Sequence, residues 1–98
     1  MESSLFAQVE EREIHGDVFQ VTHRILQVPR EVYIQITCDH PEPFSEEGAQ
    51  YFVEQYLRWL GEKDGLVGLV RLDEKNGVIL LDATIRYRIN SLERPFYS

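Results

Sequence analysis

The stretch TCDHPEPFSEEG, Thr37 to Gly48, holds the chain's one cysteine and one of its three histidines. Residues i and i+2 of an extended strand share a face, so Cys38 and His40 would set a thiol beside an imidazole. Such a pair can supply a thiolate nucleophile or hold a soft metal. A nucleophilic site also needs a third group that orients the base, and no residue at a readable spacing supplies one. Cys38 moreover continues the apolar alternation of Val32, Ile34 and Ile36, and free cysteine is among the most buried residue types. The pattern favours architecture over catalysis: a strand ends at Cys38, Asp39 and His40 turn, and two prolines lead to a helix. Cys38 and His40 remain the candidates for catalysis in an alternative reading. There a small molecule binds in a pocket lined by Tyr33, Tyr56 and Trp59, with Cys38 and His40 at its mouth.

The remaining polar groups offer less. His15 with Asp17 and His23 with Arg24 lack the paired spacing of metal ligands. Neither a phosphate-cradling glycine loop nor a GxSxG or HExxH motif is present, and no cofactor or metal is expected. Glu10–Glu11 and Glu46–Glu47 are adjacent pairs, which point apart on a strand or a helix. Arg86 and Arg88 fall on one face of the last apolar run, with Arg71 on the neighbouring run, and such a patch could stack on and bind RNA. Against it stands a net charge of −7, from 17 acidic and 10 basic residues, which repels a phosphate backbone. It equally disfavours an anionic membrane.

A lone cysteine cannot form an internal disulfide, the opening MESSLFAQVEE lacks the pattern of a signal peptide, and no long apolar run could span a bilayer. A reducing, cytoplasmic setting is the expectation. The length of 98 residues and a hydrophobic fraction of 43% describe one folded domain, 1–98.

Position along the chain follows from periodicity. Ser45 reads as an N-cap, Glu46 and Glu47 suit the first turn, and Gly61 suits a left-handed stop. Ala49, Phe52, Val53, Tyr56, Leu57 and Leu60 recur on one face, which predicts a helix over about 45–61. Asn76-Gly77 is the strongest short hairpin signal. With Lys75 opposite Val78, Leu72 faces Leu81, Arg71 faces Asp82, Val70 faces Ala83, Gly68 faces Ile85 and Leu66 faces Tyr87. Residues 17–28 and 31–38 are rich in β-branched and aromatic side chains and read as two strands joined at Pro29. Residues 4–14 fit either a strand or a helix with Leu5, Phe6 and Val9 inward, the strand being preferred. The expected fold is α+β, in the order (β or α)-β-β-α-β-β. It has a mainly antiparallel sheet of four to five strands, and one helix packs on one face.

The last strand reads as Val78 to Asn90, longer than its hairpin partner Leu66–Asp73. Its far end needs a second strand, from the N-terminal half or from another subunit, to satisfy its backbone groups. The tail 91–98 carries Leu92, Phe96 and Tyr97 and could dock on a partner. The function expected is a small acidic, non-enzymatic protein-interaction module, a homodimer or a binder of another protein. Arg86, Arg88, Leu92, Phe96 and Tyr97 are its contact candidates.

Overall fold

A computed structural model of the chain describes residues 5–15, 21–62 and 64–87. Two strands, β1 (Glu10–His15) and β2 (Val21–Pro29), precede two helices, α1 (Arg30–Ile36) and α2 (Glu46–Leu60). Two more strands follow, β3 (Gly65–Lys75) and β4 (Val78–Tyr87). The described strands form one antiparallel sheet in the order β1-β2-β4-β3. The class is α+β, as the periodicity predicts.

The β3–β4 hairpin turns at Asn76 (φ 55°) and Gly77 (φ 79°), the positive pair that a type I′ turn requires. Lys75 pairs with Val78, Leu72 with Leu81, Arg71 with Asp82 and Val70 with Ala83, matching the register counted from the turn. Between Val67 and Val70 a bulge shifts that register, so Val67 faces Ile85, Leu66 faces Arg86 and Gly65 faces Tyr87. Unbulged pairing would have set the bare backbone of Gly68 against Ile85, which is fully buried. One extra residue puts a valine there instead. The Gly68 carbonyl freed at the bulge accepts a hydrogen bond from Gln50 Nε2 at 2.6 Å.

Residues 31–38, expected as a strand, are helical over Arg30–Ile36. Val32, Ile34 and Ile36 do alternate, but Val32, Tyr33, Ile36 and Thr37 also line one helical face. The structure buries Val32, Tyr33 and Thr37 while leaving Ile34 exposed. Pro29 fixes the entry, since a fixed φ before the first turn suits a helix start. The Arg30 amide donates to the Gly77 carbonyl at 3.0 Å and ties α1 to the hairpin turn. Strand β2 already fills the place beside β4, so the sheet has no need of a strand from 31–38.

Helix α2 begins and ends as its caps predict. Ser45 Oγ accepts from the Gly48 amide at 3.0 Å, and Gly61 closes it at φ 84°. Ala49, Phe52, Val53, Tyr56 and Leu57 are buried, whereas Leu60 is exposed. Residues 4–14 combine both alternatives: a helical turn at Leu5 and Phe6, then strand β1. Phe6 and Val9 enter the core, and Phe6 stacks on Trp59 with ring centroids 5.8 Å apart. The core lies between the helices and the sheet, with Leu26 and Val28 of β2 and Ile79, Leu81, Ala83 and Ile85 of β4 at its floor. No helix among the described residues is long and apolar enough to cross a membrane.

Over its described residues the last strand is satisfied within the chain; the expected continuation through 88–90 lies outside them. β4 is central, paired from Val78 to Arg86 with β2 and out to Tyr87 with β3. Through Arg86 it offers no free edge to another subunit.

Candidate functional site

Alternation along β2 and β4 sends Leu26, Val28, Ile79, Leu81, Ala83 and Ile85 towards the helices. The residues between them must then point to the opposite side. Cross-strand pairing brings Ile25, Leu80, Asp82 and Arg71 together there, because Ile25 pairs with Asp82, Gln27 with Leu80 and Arg71 with Asp82. No helix among the described residues covers this side. Ile25 and Leu80 are only half-buried. They border an open hollow of about 410 Å³ with Arg71, Asp73 and Asp82. A second hollow of about 320 Å³ lies further along, bordered by Val21, Leu66, Thr84 and Arg86. Leu66 and Leu69 of β3 are 51% and 55% exposed, the largest values among the exposed large hydrophobics. Arg12 donates to Gln27 Oε1 at 2.9 Å across this face, and Thr84 Oγ1 stands 3.5 Å from His23 Nδ1.

Charge is unevenly shared between the two sides. On the bare face the described charged side chains are Arg12, Arg71, Lys75 and Arg86 against Glu10, Asp73 and Asp82, which nearly cancel. The helices and their connecting loop carry exposed Glu31, Asp39, Glu42, Glu46, Glu47 and Glu54. Against them stand exposed Arg30 and Arg58, so among the described residues the helical side is the more acidic of the two.

Under the sheet, at the C-terminal end of α2, lies a polar knot. Arg24 shares the core-facing side of β2 with Leu26, and its Nη2 donates to both Glu62 oxygens at 2.9 and 3.0 Å and to Tyr87 Oη at 2.9 Å. Tyr87 Oη donates to Glu62 Oε1 at 2.5 Å, Tyr56 Oη donates to Glu11 Oε2 at 2.7 Å, and Glu11 Oε2 is 3.6 Å from Arg24 Nη1. Burial works against the Arg24 charge. Only together do the Glu62 hydrogen bond and the charges of Tyr87, Glu62 and Glu11 outweigh it, so the guanidinium pKa is raised. Burial pushes the Tyr87 hydroxyl up to about 12, with Glu62 adding to the effect. It pushes Tyr56 up as well, assisted by Glu11. The knot joins β1, β2, β4 and the end of α2, which makes it a fastener of the fold. Its signal in the sequence is an arginine between Thr22 and Leu26 on an otherwise core-facing alternation.

Cys38 and His40 fall in the turn after α1 rather than at a strand end. Cys38 is exposed, and the buried place expected for it is held by Thr37, whose Oγ1 donates to the Tyr33 carbonyl at 2.7 Å. Cys38 Sγ reaches Asp39 Oδ1 at 3.9 Å, while His40 Nδ1 accepts the Glu42 amide at 3.0 Å and its ring lies against Tyr51. An accepting Nδ1 puts the proton of the neutral ring on Nε2. Tyr33 and Tyr56 are core residues, Tyr33 stacked on Phe52 at 5.2 Å and Tyr56 on Trp59 at 6.0 Å, so the expected lining is taken up by packing. Arg71 and Arg86 share the bare face, but Arg71 pairs with Asp82, which stands four residues from Arg86 on β4. That separation is about 13 Å along the strand. Arg88, Leu92, Phe96 and Tyr97 lie outside the described residues. Among the described residues no three His, Cys, Asp or Glu side chains converge as metal ligands.

No protein-family model matches the chain, and neither a curated protein nor a solved structure shows significant similarity to it.

Proposed function

We propose that this chain is a small, non-enzymatic protein-interaction module that works through the sheet face left bare by its helices. The supporting observation is the make-up of that face, where half-buried Ile25 and Leu80 and exposed Leu66 are framed by charges that nearly cancel. A face meant only for water would carry polar groups at these alternate positions. The sheet edges suit docking less well. β1 and β3 each contain a bulge, and the free edge of β3 ends in Arg71, Asp73, Glu74 and Lys75. Bulges and charges are the devices by which edges refuse another strand.

Photocrosslinking in cells that produce the protein tests this. A photoreactive residue in place of Leu80, on the bare face, is expected to give a discrete protein adduct. The same residue in place of Glu47, exposed on α2, is expected to give none. No adduct from position 80, or equal labelling from both positions, would overturn the proposed docking face.

A further inference from the structure

Resting on that docking face, we infer that its occupant is a second copy of the chain, packed sheet to sheet about a two-fold axis. Electrostatics selects this arrangement. Two chains of net charge −7 repel unless their acidic surfaces are kept apart. Face-to-face sheets pack about 10 Å apart, and each helix layer lies roughly another 10 Å outward, so the acidic helices of the two copies are held about 30 Å apart. That is several times the Debye length of about 8 Å at physiological ionic strength. The surfaces that meet are the ones whose described charges nearly cancel. Contact through the helices would instead oppose Glu46, Glu47 and Glu54 to their own copies.

Size agrees with this. β2 and β4 pair from Val21–Arg86 to Pro29–Val78. At about 3.4 Å per residue and about 4.8 Å between strands, the four-strand face measures roughly 30 Å by 19 Å. Two such faces amount to about 1,100 Å² before side-chain relief is added, past the roughly 1,000 Å² a specific interface needs. Ile25 and Asp82 form the middle pair of the two central strands, with Leu80 and Gln27 the next pair on this face, so a two-fold axis near the middle of the sheet brings this mixed apolar and polar patch against its copy. Arg71 flanks Asp82 from β3, so each copy has a cation to offer across the contact to the Asp82 of the other.

The test is the solution mass of the intact chain by light scattering at low and high salt. The expected result is twice the chain mass of 11.5 kDa, with dissociation shifting to lower concentration as salt rises because screening relieves the overall repulsion. Leu80→Lys and Asp82→Lys are each expected to weaken association at least tenfold while keeping the parent's circular dichroism. Asp82 already bears a polar side chain, so its replacement keeps the test decisive if Leu80→Lys does not fold. A parent at 11.5 kDa up to about 100 μM, or a dimer unmoved by folded Asp82→Lys, would overturn the second-copy inference. The docking reading itself is judged separately by the Leu80 crosslink. An adduct whose mass differs from twice the chain would uphold the docking face and refute the second copy.

Discussion

Gly48 lies in the first turn of α2, where helix propensity alone says that alanine should be better by about 1 kcal/mol. The structure reverses that sign. A Cβ at this position would stand 2.6 Å from the Pro43 carbonyl carbon and nearer still to the carbonyl oxygens of Glu42 and Pro43. These are backbone atoms, so no rotamer change makes room and the 42–43 segment has to shift. That segment is tied down: Tyr33 Oη donates to the Pro43 carbonyl, and Ser45 Oγ donates to the Glu42 carbonyl at 2.6 Å while capping Gly48. Loosening it leaves the hydroxyl of a fully buried tyrosine short of an acceptor, at about 1–3 kcal/mol. It also weakens an N-cap worth about 1 kcal/mol. Set against the propensity gain, the net loss for Gly48→Ala is about 2 kcal/mol, a fall in melting temperature of roughly 8–16 °C for a domain of this size. Thermal melts followed by far-ultraviolet circular dichroism measure it, with Glu54→Ala on the exposed side of the same helix expected to stay within about 0.5 kcal/mol of the parent. Tyr33→Phe should also cost less in the Gly48→Ala background than alone, because both changes act on one hydrogen bond. A Gly48→Ala protein that melts at or above the parent would refute the close seat of α2 on residues 42–43.

Burial lifts the Tyr33 hydroxyl to about 12. An acid whose folded pKa is raised holds its proton longer when folded, so its contribution is whole below pH of about 10 and drains away towards pH 12 at about 1.4 kcal/mol per unit. Urea midpoints across that window should fall for the parent and fall less for Tyr33→Phe; equal slopes would contradict the assignment. Arg24→Met should cost about 2 kcal/mol, less than a fully buried ion pair because Glu62 and Glu11 keep some water contact. Adding Glu62→Gln should recover part of it, and a double variant weaker than the sum of the two singles would exclude the pairing. Gly77→Ala meets no atom within 4 Å but forces φ 79° on a side chain. It should lose about 1–2 kcal/mol, with Gly77→Asn losing less, in chemical denaturation.

The hairpin and α2 were legible because each is specified locally. Asn76-Gly77 dictates turn type and register, and Ser45 and Gly61 mark the ends of a long periodic run. The bulge was not legible, because it answers a demand from the other strand: Ile85 needs a side chain opposite, and Gly68 has none. Helix α1 reads as a strand because seven residues are too few to separate a period of two from 3.6. Strong β propensity then favoured the wrong one, and the preceding proline and the burial of Tyr33 and Thr37 decided the outcome. Arg24 was visible beside His23, but its role depends on Glu62 and Tyr87, 38 and 63 residues away. The alternation that points Cys38 into the core is broken by helix α1, which leaves the thiol exposed. The bare face was half legible: the Arg71–Asp82 pair followed from the turn, whereas Ile25 entered it only when β2 took its place beside β4.

An antiparallel sheet with one face in water is an ordinary solution, so bareness alone asks for no partner. The composition of this face carries more weight. If water were its only neighbour, acidic residues would serve solubility there as well as they do on the helices, yet the exposed glutamates gather on α1, α2 and their loop. The two central strands instead set Ile25 and Leu80 between the Arg12–Gln27 bond and the Arg71–Asp82 pair. That interleaves apolar side chains with hydrogen-bonding and charged ones, a mixture that protein contact surfaces share. Moving the proposed contact from the last strand's edge to the sheet's face thus follows from one topological fact. Once β2 flanks β4, the groups that β4 has left to meet a partner are side chains rather than backbone.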